Sequence, residues 1–402
     1  MNKHGLKNSL PHRIAGAFRL SNLSAPATYI PFIVAAITFP MMAIPSYTVD
    51  AAFEPEPANT LLAMAAYGTM FTASLAGIMR GRPLTNLFHQ QDWILLLFFA
   101  TIILSAILQG LSNSIVYSLF LFLSFISLRT ASYSKIFVSS IILSTLICIA
   151  YMVAAQIILG PPVKRWLGGI HPNIYGASII TAIALSTFAS FKFFNISFLI
   201  CLTCAVIVSS RYAMISSVII YISFCIMNYR RCGWFQIFIL IVIFFIVLFD
   251  FLFSGAEGYV GSALQLGSSD RGLSSGLTGR DSHWSYFIPQ ISDRPFLGYG
   301  FRNRESFYGA HNGFMNLILE CGILGSTLIL SYLLIRILSL IKEFINTENN
   351  EVRGRLLSVS IGVIFAVNLQ PQFINFGDPM GLLVMILLFS RPGLERLSLK
   401  DT

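Results

Sequence analysis

Charge is what this sequence has least of. Asp, Glu, Lys and Arg make up only 11% of its 402 residues, against roughly 25% in soluble globular chains. A soluble chain of this length would divide into two or three domains, and that shortfall argues against one. There is no alternation of apolar and polar residues of the kind a transmembrane barrel needs, which excludes a porin-like fold. There is no disulfide framework either. Cys148, Cys201, Cys204, Cys225 and Cys321 lie within apolar runs, and Cys232 follows Arg230 and Arg231. Cys201 and Cys204 form a CxxC, but no His or second pair stands near them, so no metal site is assigned. Walker, dinucleotide, HExxH and Asp-rich patterns are all missing. The chain is therefore expected to use no metal and no cofactor, so that any energy or electrophile arrives with the substrate. No cleavable leader is read, because the first apolar run starts near Ala27 after a long polar lead.

What is present is hydrophobic length. Apolar residues make up 55% of the chain and the mean hydropathy is +0.75. The apolar runs are roughly 17–25 residues long, enough to cross a hydrocarbon core of about 30 Å. Backbone polar groups in lipid must be satisfied within the segment, so these runs are helices. The expected fold is an all-α polytopic membrane protein of about twelve transmembrane helices. They are placed near 27–46, 59–79, 93–110, 113–128, 136–160, 173–190, 193–209, 212–228, 234–254, 311–341, 355–370 and 377–390. This divides the chain into a cytoplasmic tail at 1–26, helices 1–9 within 27–254, a large periplasmic loop at 255–310, helices 10–12 within 311–390, and a cytoplasmic tail at 391–402.

The net charge of +9 invites a nucleic-acid reading, but the bases fall in short loops between apolar runs. That is the pattern of membrane orientation, with the positive side inside, and no nucleic-acid partner is expected. Lys3, Lys7, Arg13 and Arg19 put the N-terminus in the cytoplasm, whereas the next loop holds Asp50, Glu54 and Glu56 and no base. Arg80, Arg82, Arg129, Lys135, Lys192, Arg230, Arg231, Arg336, Lys342, Arg353 and Arg355 all fall inside on this alternation. So do Arg391, Arg396 and Lys400 in the C-terminal tail.

Three external stretches carry bases on the costly side. They hold Lys164, Arg165 and His171; Arg211; and Arg271, Arg280, Arg294, Arg302 and Arg304 in the long loop. A function needing fixed positive charge explains them. The long loop is rich in Gly, Ser and aromatic residues, which fits an ordered lid with short helices.

The chemistry concentrates where that loop ends. His311-Asn312-Gly313 opens a helix, and Asn316 and Glu320 follow Asn312 at i+4 and i+8, on one face. A helix N-terminus favours anions such as phosphate; the plainer reading of Asn312 is a helix cap. Arg280 suits bidentate contact with phosphate, and Asp281 is placed to hold it. Arg211 sits between two apolar runs. Arg165 to Gly176 includes His171 and Asn173, with Asn173 suited to cap the following helix. Bases gathered on one side of a membrane scaffold suit a ligand with a diphosphate at the surface and a lipid tail.

At these residues the chain resembles the O-antigen ligase and O-antigen polymerase superfamily. The ligase pattern is His, then Asn, Ser or Gln, nine residues, Gly, two residues, then Gly, Thr or Tyr. Here it reads His311-Asn312, nine residues from Gly313 to Cys321, Gly322 and Gly325. The polymerase pattern of Arg, ten residues, Gly occurs twice, as Arg165 to Gly176 and Arg302 to Gly313. An Arg-x-x-x-Leu pattern of the ligases is absent from the long loop, which tilts the reading slightly toward a polymerase.

The resemblance implies a metal-independent inverting glycosyltransferase of the bacterial inner membrane, active on the periplasmic side. The donor is a glycan on undecaprenyl diphosphate. The acceptor is another lipid-linked glycan for a polymerase, or lipid A–core for a ligase. The further partners implied are membrane lipids and a chain-length regulator protein. On this reading His311, Arg280 and Arg211 are catalytic, and Arg165, His171, Arg302, Asn312, Asn316, Glu320 and Asp281 bind substrate. The rival class is a transporter or flippase of lipid-linked glycan, or a non-catalytic membrane protein. Transporters are marked by internal repeats and discontinuous helices, and neither is evident in the sequence.

Overall fold

The computed structural model describes residues 91–130, 172–208, 210–229, 236–242, 280–303, 312–346, 351–369 and 379–389, together with Phe88, Ala150, Gly233, Trp234, Phe245, Phe373 and Ile374. The spans expected at 27–46, 59–79 and 136–160, both tails, and most of 234–279 lie outside the described residues.

All regular structure among the described residues is helical. The helices are α1 (Asp92–Leu108), α2 (Ser112–Thr130), α3 (Pro172–Ser186), α4 (Phe191–Ile207), α5 (Arg211–Met227), α6 (Arg280–Asp293), α7 (Gly313–Asn346), α8 (Glu351–Asn368) and α9 (Pro379–Phe389). The expected spans that fall here agree with them to within a few residues. α1 and α2 are separate helices, joined through Gly110 at φ +67°, a left-handed conformation that suits Gly. Among the described residues α7 alone has the length and mean hydropathy of a full crossing, and α1, α3, α4 and α5 are apolar but shorter.

The contacts sort the helix ends into two sets. α8 packs on α5, α7 on α1, and α3 on α4 and α5, with α9 between α2 and α3. At one end Arg129 Nη2 donates to Asp92 Oδ1 at 2.6 Å and to Tyr332 Oη at 2.8 Å. Tyr332 Oη in turn donates to the same carboxylate oxygen at 2.8 Å. This ties the start of α1 to the end of α2 and the middle of α7. At the same end Arg355 Nη1 donates at 2.7 Å to each of the carbonyls of Thr187 and Ala189, which closes the C-terminus of α3. Its Nη2 is bonded to Glu351. These are the ends that the charge alternation assigns to the cytoplasm.

α7 departs from the sequence expectation of one helix over 311–341. It is discontinuous at Gly322, where φ is +67° and ψ 179°, a region open essentially to Gly alone. The residues that follow α6 are spliced into the gap. Tyr299 and Gly300 donate their N–H groups to the carbonyls of Leu319 and Glu320, at 2.7 and 3.0 Å. Those carbonyls would serve Ile323 and Leu324 in an unbroken helix. Ile323 and Leu324 instead donate to the carbonyls of Pro295 and Phe296, at 2.7 and 3.3 Å. The exchange leaves these broken-helix groups satisfied, which non-helical backbone at membrane depth requires.

The packing shows that the two halves of α7 are not collinear. Near one end Glu343 pairs with Arg353 at 3.3 Å. At the other, Gly313 abuts Val367 and Phe373. From Gly313 to Glu343 a straight helix would run about 45 Å, but Arg353 to Val367 on α8 covers about 21 Å. The kink at Gly322 accommodates the difference.

Candidate functional site

The site is built at the end of the bundle opposite the Asp92 and Arg355 clusters. There α6, the segment 294–303 and the half-helix 313–321 meet the ends of α1 and α2. α6 is short and contains Pro289. It holds to the half-helix by apolar contact, with Phe287 and Leu319 buried and Ile291, Tyr299 and Met315 packed around them. The part of the long loop from 280 to 303 is thus ordered helix and turn.

Two glycines permit this arrangement. A Cβ on Gly322 would lie 2.1 Å from the carbonyl oxygen of Phe296, and one on Gly298, itself at φ +64°, would lie 2.5 Å from Gly322 N and from the Leu319 carbonyl oxygen. The first glycine of the ligase pattern is therefore the helix break. The second, Gly325, lies against Cys321 and faces Phe98 and Ile102 of α1. The glycines closing the two Arg-x10-Gly patterns mark close helix approaches: a Cβ on Gly176 would meet the Tyr212 ring at 2.3 Å, and one on Gly313 would meet Val367 at 2.7 Å.

Arg302 ends the spliced segment. It is the non-glycine residue with positive φ among the described residues, at 63°, a backbone conformation that costs energy and concentrates at functional sites. Its guanidinium lies 5.6 Å from the centre of the Tyr117 ring on α2. Its Nε and Nη1 are buried and donate to no partner among the described residues. Ser114, one turn before Tyr117 on α2, likewise has a buried Oγ without a partner. Burying donors unpaired is costly.

The other expected site residues fall as follows. Asn312 caps the half-helix, its Oδ1 accepting from the N–H groups of Phe314 and Met315 at 3.0 and 3.1 Å. Asn316 and Glu320 are buried on the face turned into the protein, 3% and 5% exposed, and Glu320 lies two residues before the break. Arg211 is the first residue of α5, half-buried and next to buried Ser210. Arg280 opens α6 and Asp281 follows it; their side chains, with His311, Arg165 and His171, lie outside the described residues. Asn312, Asn316 and Glu320 thus lie along one half-helix, and Arg302 lies two residues beyond the segment bonded to its last turn.

Sequence reasoning missed Ser105, Gln109, Ser114 and Tyr117. They lie on α1 and α2, far in sequence from every pattern that drew attention. The available signal was the polar cluster from Gln109 to Ser114 between two apolar runs, which reads equally well as an ordinary connecting turn.

A model of the family described as O-antigen ligase matches residues 196–330. That is about a third of the chain, from α4 through the break in α7, and it includes Arg211, Arg280, Arg302, His311 and Gly322. No curated protein matches the chain. The class that the described residues define is an all-helical fold with one helix, α7, long and apolar enough to cross a membrane. Within that class the match supports the O-antigen ligase and polymerase superfamily.

Proposed function

We propose that the protein is a membrane glycosyltransferase that moves a glycan from undecaprenyl diphosphate to a sugar hydroxyl on the periplasmic side of the bacterial inner membrane. The observation that supports this reading is Arg302, a residue in a strained backbone conformation whose buried Nε and Nη1 have no partner among the described residues, inside a family-matched segment spliced into a broken helix. A diphosphate offers paired oxygens that match a guanidinium fork.

In this mechanism Arg302, Arg280 and Arg211 hold the diphosphate, and Arg165 and His171 bind from the third external loop. As the bond between the anomeric carbon and the diphosphate oxygen breaks, negative charge grows on the leaving group, and preorganised cations lower that barrier. His311, one residue before the cap of the half-helix, removes the proton from the acceptor hydroxyl as it attacks from the opposite face of the sugar. Inversion at the anomeric carbon follows. Asn312 and Asn316 keep the half-helix in place, Glu320 faces the acceptor side, and Asp281 orients Arg280. Neither nucleotide nor metal takes part: full loss of transfer on chelation, restored by one metal, would refute that element. A chain-length regulator is the proposed protein partner of a polymerase.

The broken helix bears on the rival reading, because discontinuous helices are a mark of transporters. Here the break is filled by a peptide of the same chain that satisfies the freed carbonyls, an arrangement that suits a fixed site better than a rocking one. The test is direct. The purified protein in lipid nanodiscs receives a labelled diphosphate-linked donor, with either a second lipid-linked glycan or lipid A–core as acceptor. Label on the first acceptor marks a polymerase, which we favour, and label on the second marks a ligase. Passage of intact donor across the bilayer with no new glycosidic bond would overturn both.

A further inference from the structure

We infer that Gln109, at the outer end of α1, is a positioning residue that holds the segment bearing Arg302 in its working geometry. The inference rests on the reading of Arg302 as a diphosphate contact.

The peptide 294–300 is clamped between two helices. Its carbonyls at Pro295 and Phe296, and its N–H groups at Tyr299 and Gly300, serve α7. The two carbonyls between them serve α1. Leu297 O accepts from Ser105 Oγ at 2.9 Å, and Gly298 O accepts from Gln109 Nε2 at 3.1 Å. Gln109 Nε2 also donates to Ser105 Oγ at 2.8 Å, and its Oε1 accepts from Arg294 Nη1. The amide therefore has one orientation, since a flip would point its N–H groups at a guanidinium. Arg294 follows α6 directly and its guanidinium lies 4.8 Å from the centre of the Tyr299 ring.

One side chain thus fixes both ends of the splice. Its carbonyl end ties the end of α6 to α1, and its amino end pins Gly298, whose positive φ sets the turn toward Arg302. Gln109 lies outside the family-matched region, and it touches neither Arg302 nor any described residue of the half-helix's polar face. Its effect passes through the segment. α1 is held at its other end by the Asp92 cluster, which makes it a firm strut for this purpose.

The experiment uses the full chain in nanodiscs, with the diphosphate-linked donor as probe and amide hydrogen exchange as a second readout. Gln109→Met keeps length and removes all three side-chain bonds. We expect the donor KM to rise about tenfold with kcat within about twofold, the signature of weakened ground-state binding. We also expect exchange at Tyr299 and Gly300 to speed up by about tenfold or more, with α8 unchanged. Gln109→Glu keeps the acceptor for Arg294 but loses the donor to Gly298, and should fall between. In an Arg302→Met background Gln109→Met should add little further loss, because the two act through one contact. Wild-type KM and exchange in Gln109→Met would overturn the inference, as would full additivity with Arg302→Met. If Arg302→Met itself leaves donor KM unchanged, the reading of Arg302 fails, and the exchange data still decide whether Gln109 holds the segment. Should Gln109→Met not accumulate, Ser105→Ala removes a smaller part of the same clamp and must shift both readouts in the same direction; no shift would sink the idea.

Discussion

Arg355 and Arg302 occupy opposite ends of one helical bundle and meet opposite treatment. Arg355 is 2% exposed, bonded to Glu351 and to two carbonyls at the end of α3, and set against the rings of Phe191 and Phe224. Around it and around Arg129 the chain supplies carboxylates from its own helices. Arg302 has an aromatic ring and, among the described residues, no carboxylate, with its backbone held in a costly conformation; buried N–H groups without a hydrogen-bond partner among the described residues occur at both ends, on Arg129 and Arg355 as on Arg302. The first arrangement stabilises the helices on which it stands. The second follows the clamped segment 294–300, and on the function proposed here its cation meets a ligand. Among the described residues the two ends thus differ in whether a carboxylate stands beside the guanidinium.

The largest effect expected from breaking this contrast is on the support beneath the site. Gly322→Ala forces a Cβ onto the Phe296 carbonyl and an L-residue into a glycine-only conformation. It should destabilise the protein by about 3 kcal/mol or more, read as loss of the thermal transition in detergent and of transfer together. Next comes the structural end. Asp92→Asn leaves Arg129 buried without its counter-charge, which costs about 3–5 kcal/mol. Protein that still folds should show near-normal donor KM, and a selective rise in KM would blur the division drawn here.

At the functional end the order reverses, with activity falling and stability holding. Arg302→Lys should lower transfer by about a hundredfold, because an ammonium cannot meet two oxygens at once. Its thermal midpoint should stay near wild type, since Nε and Nη1 make no hydrogen bond among the described residues that the change would remove. A variant that is both less stable and fully active would assign Arg302 to structure. Smallest is Asn312→Ala, which removes the cap of the half-helix at a cost of about 1 kcal/mol. It should reduce transfer less than His311→Ala does, in the same assay at matched protein levels.

Much of this was legible in the sequence for a simple reason. Helix positions follow from runs of apolar residues and from the turn residues between them, both local features, so α1 to α5 and α8 to α9 fall where hydropathy puts them. The sidedness of the bases is local too, and it singled out Arg302 and Arg211 as misplaced charge. The pattern His311-Asn312, Gly322, Gly325 lies within the residues 196–330 that the family model matches.

The sequence by itself thus determined the class, the helical segments and the end of the bundle at which chemistry is sought, because each depends on residues within one or two turns of each other. What it did not contain is the reason for the motif. Gly322 reads as one more small residue in an apolar helix, and the run from Gly313 to Asn346 has the hydropathy of a single crossing. Only the tertiary structure shows that the peptide from Pro295 to Gly300 takes over the hydrogen bonds of that helix, and that Gln109 and Ser105, nearly two hundred residues earlier, hold it there. Backbone groups in lipid must find partners, and when those partners come from a distant part of the chain, no local pattern records the exchange.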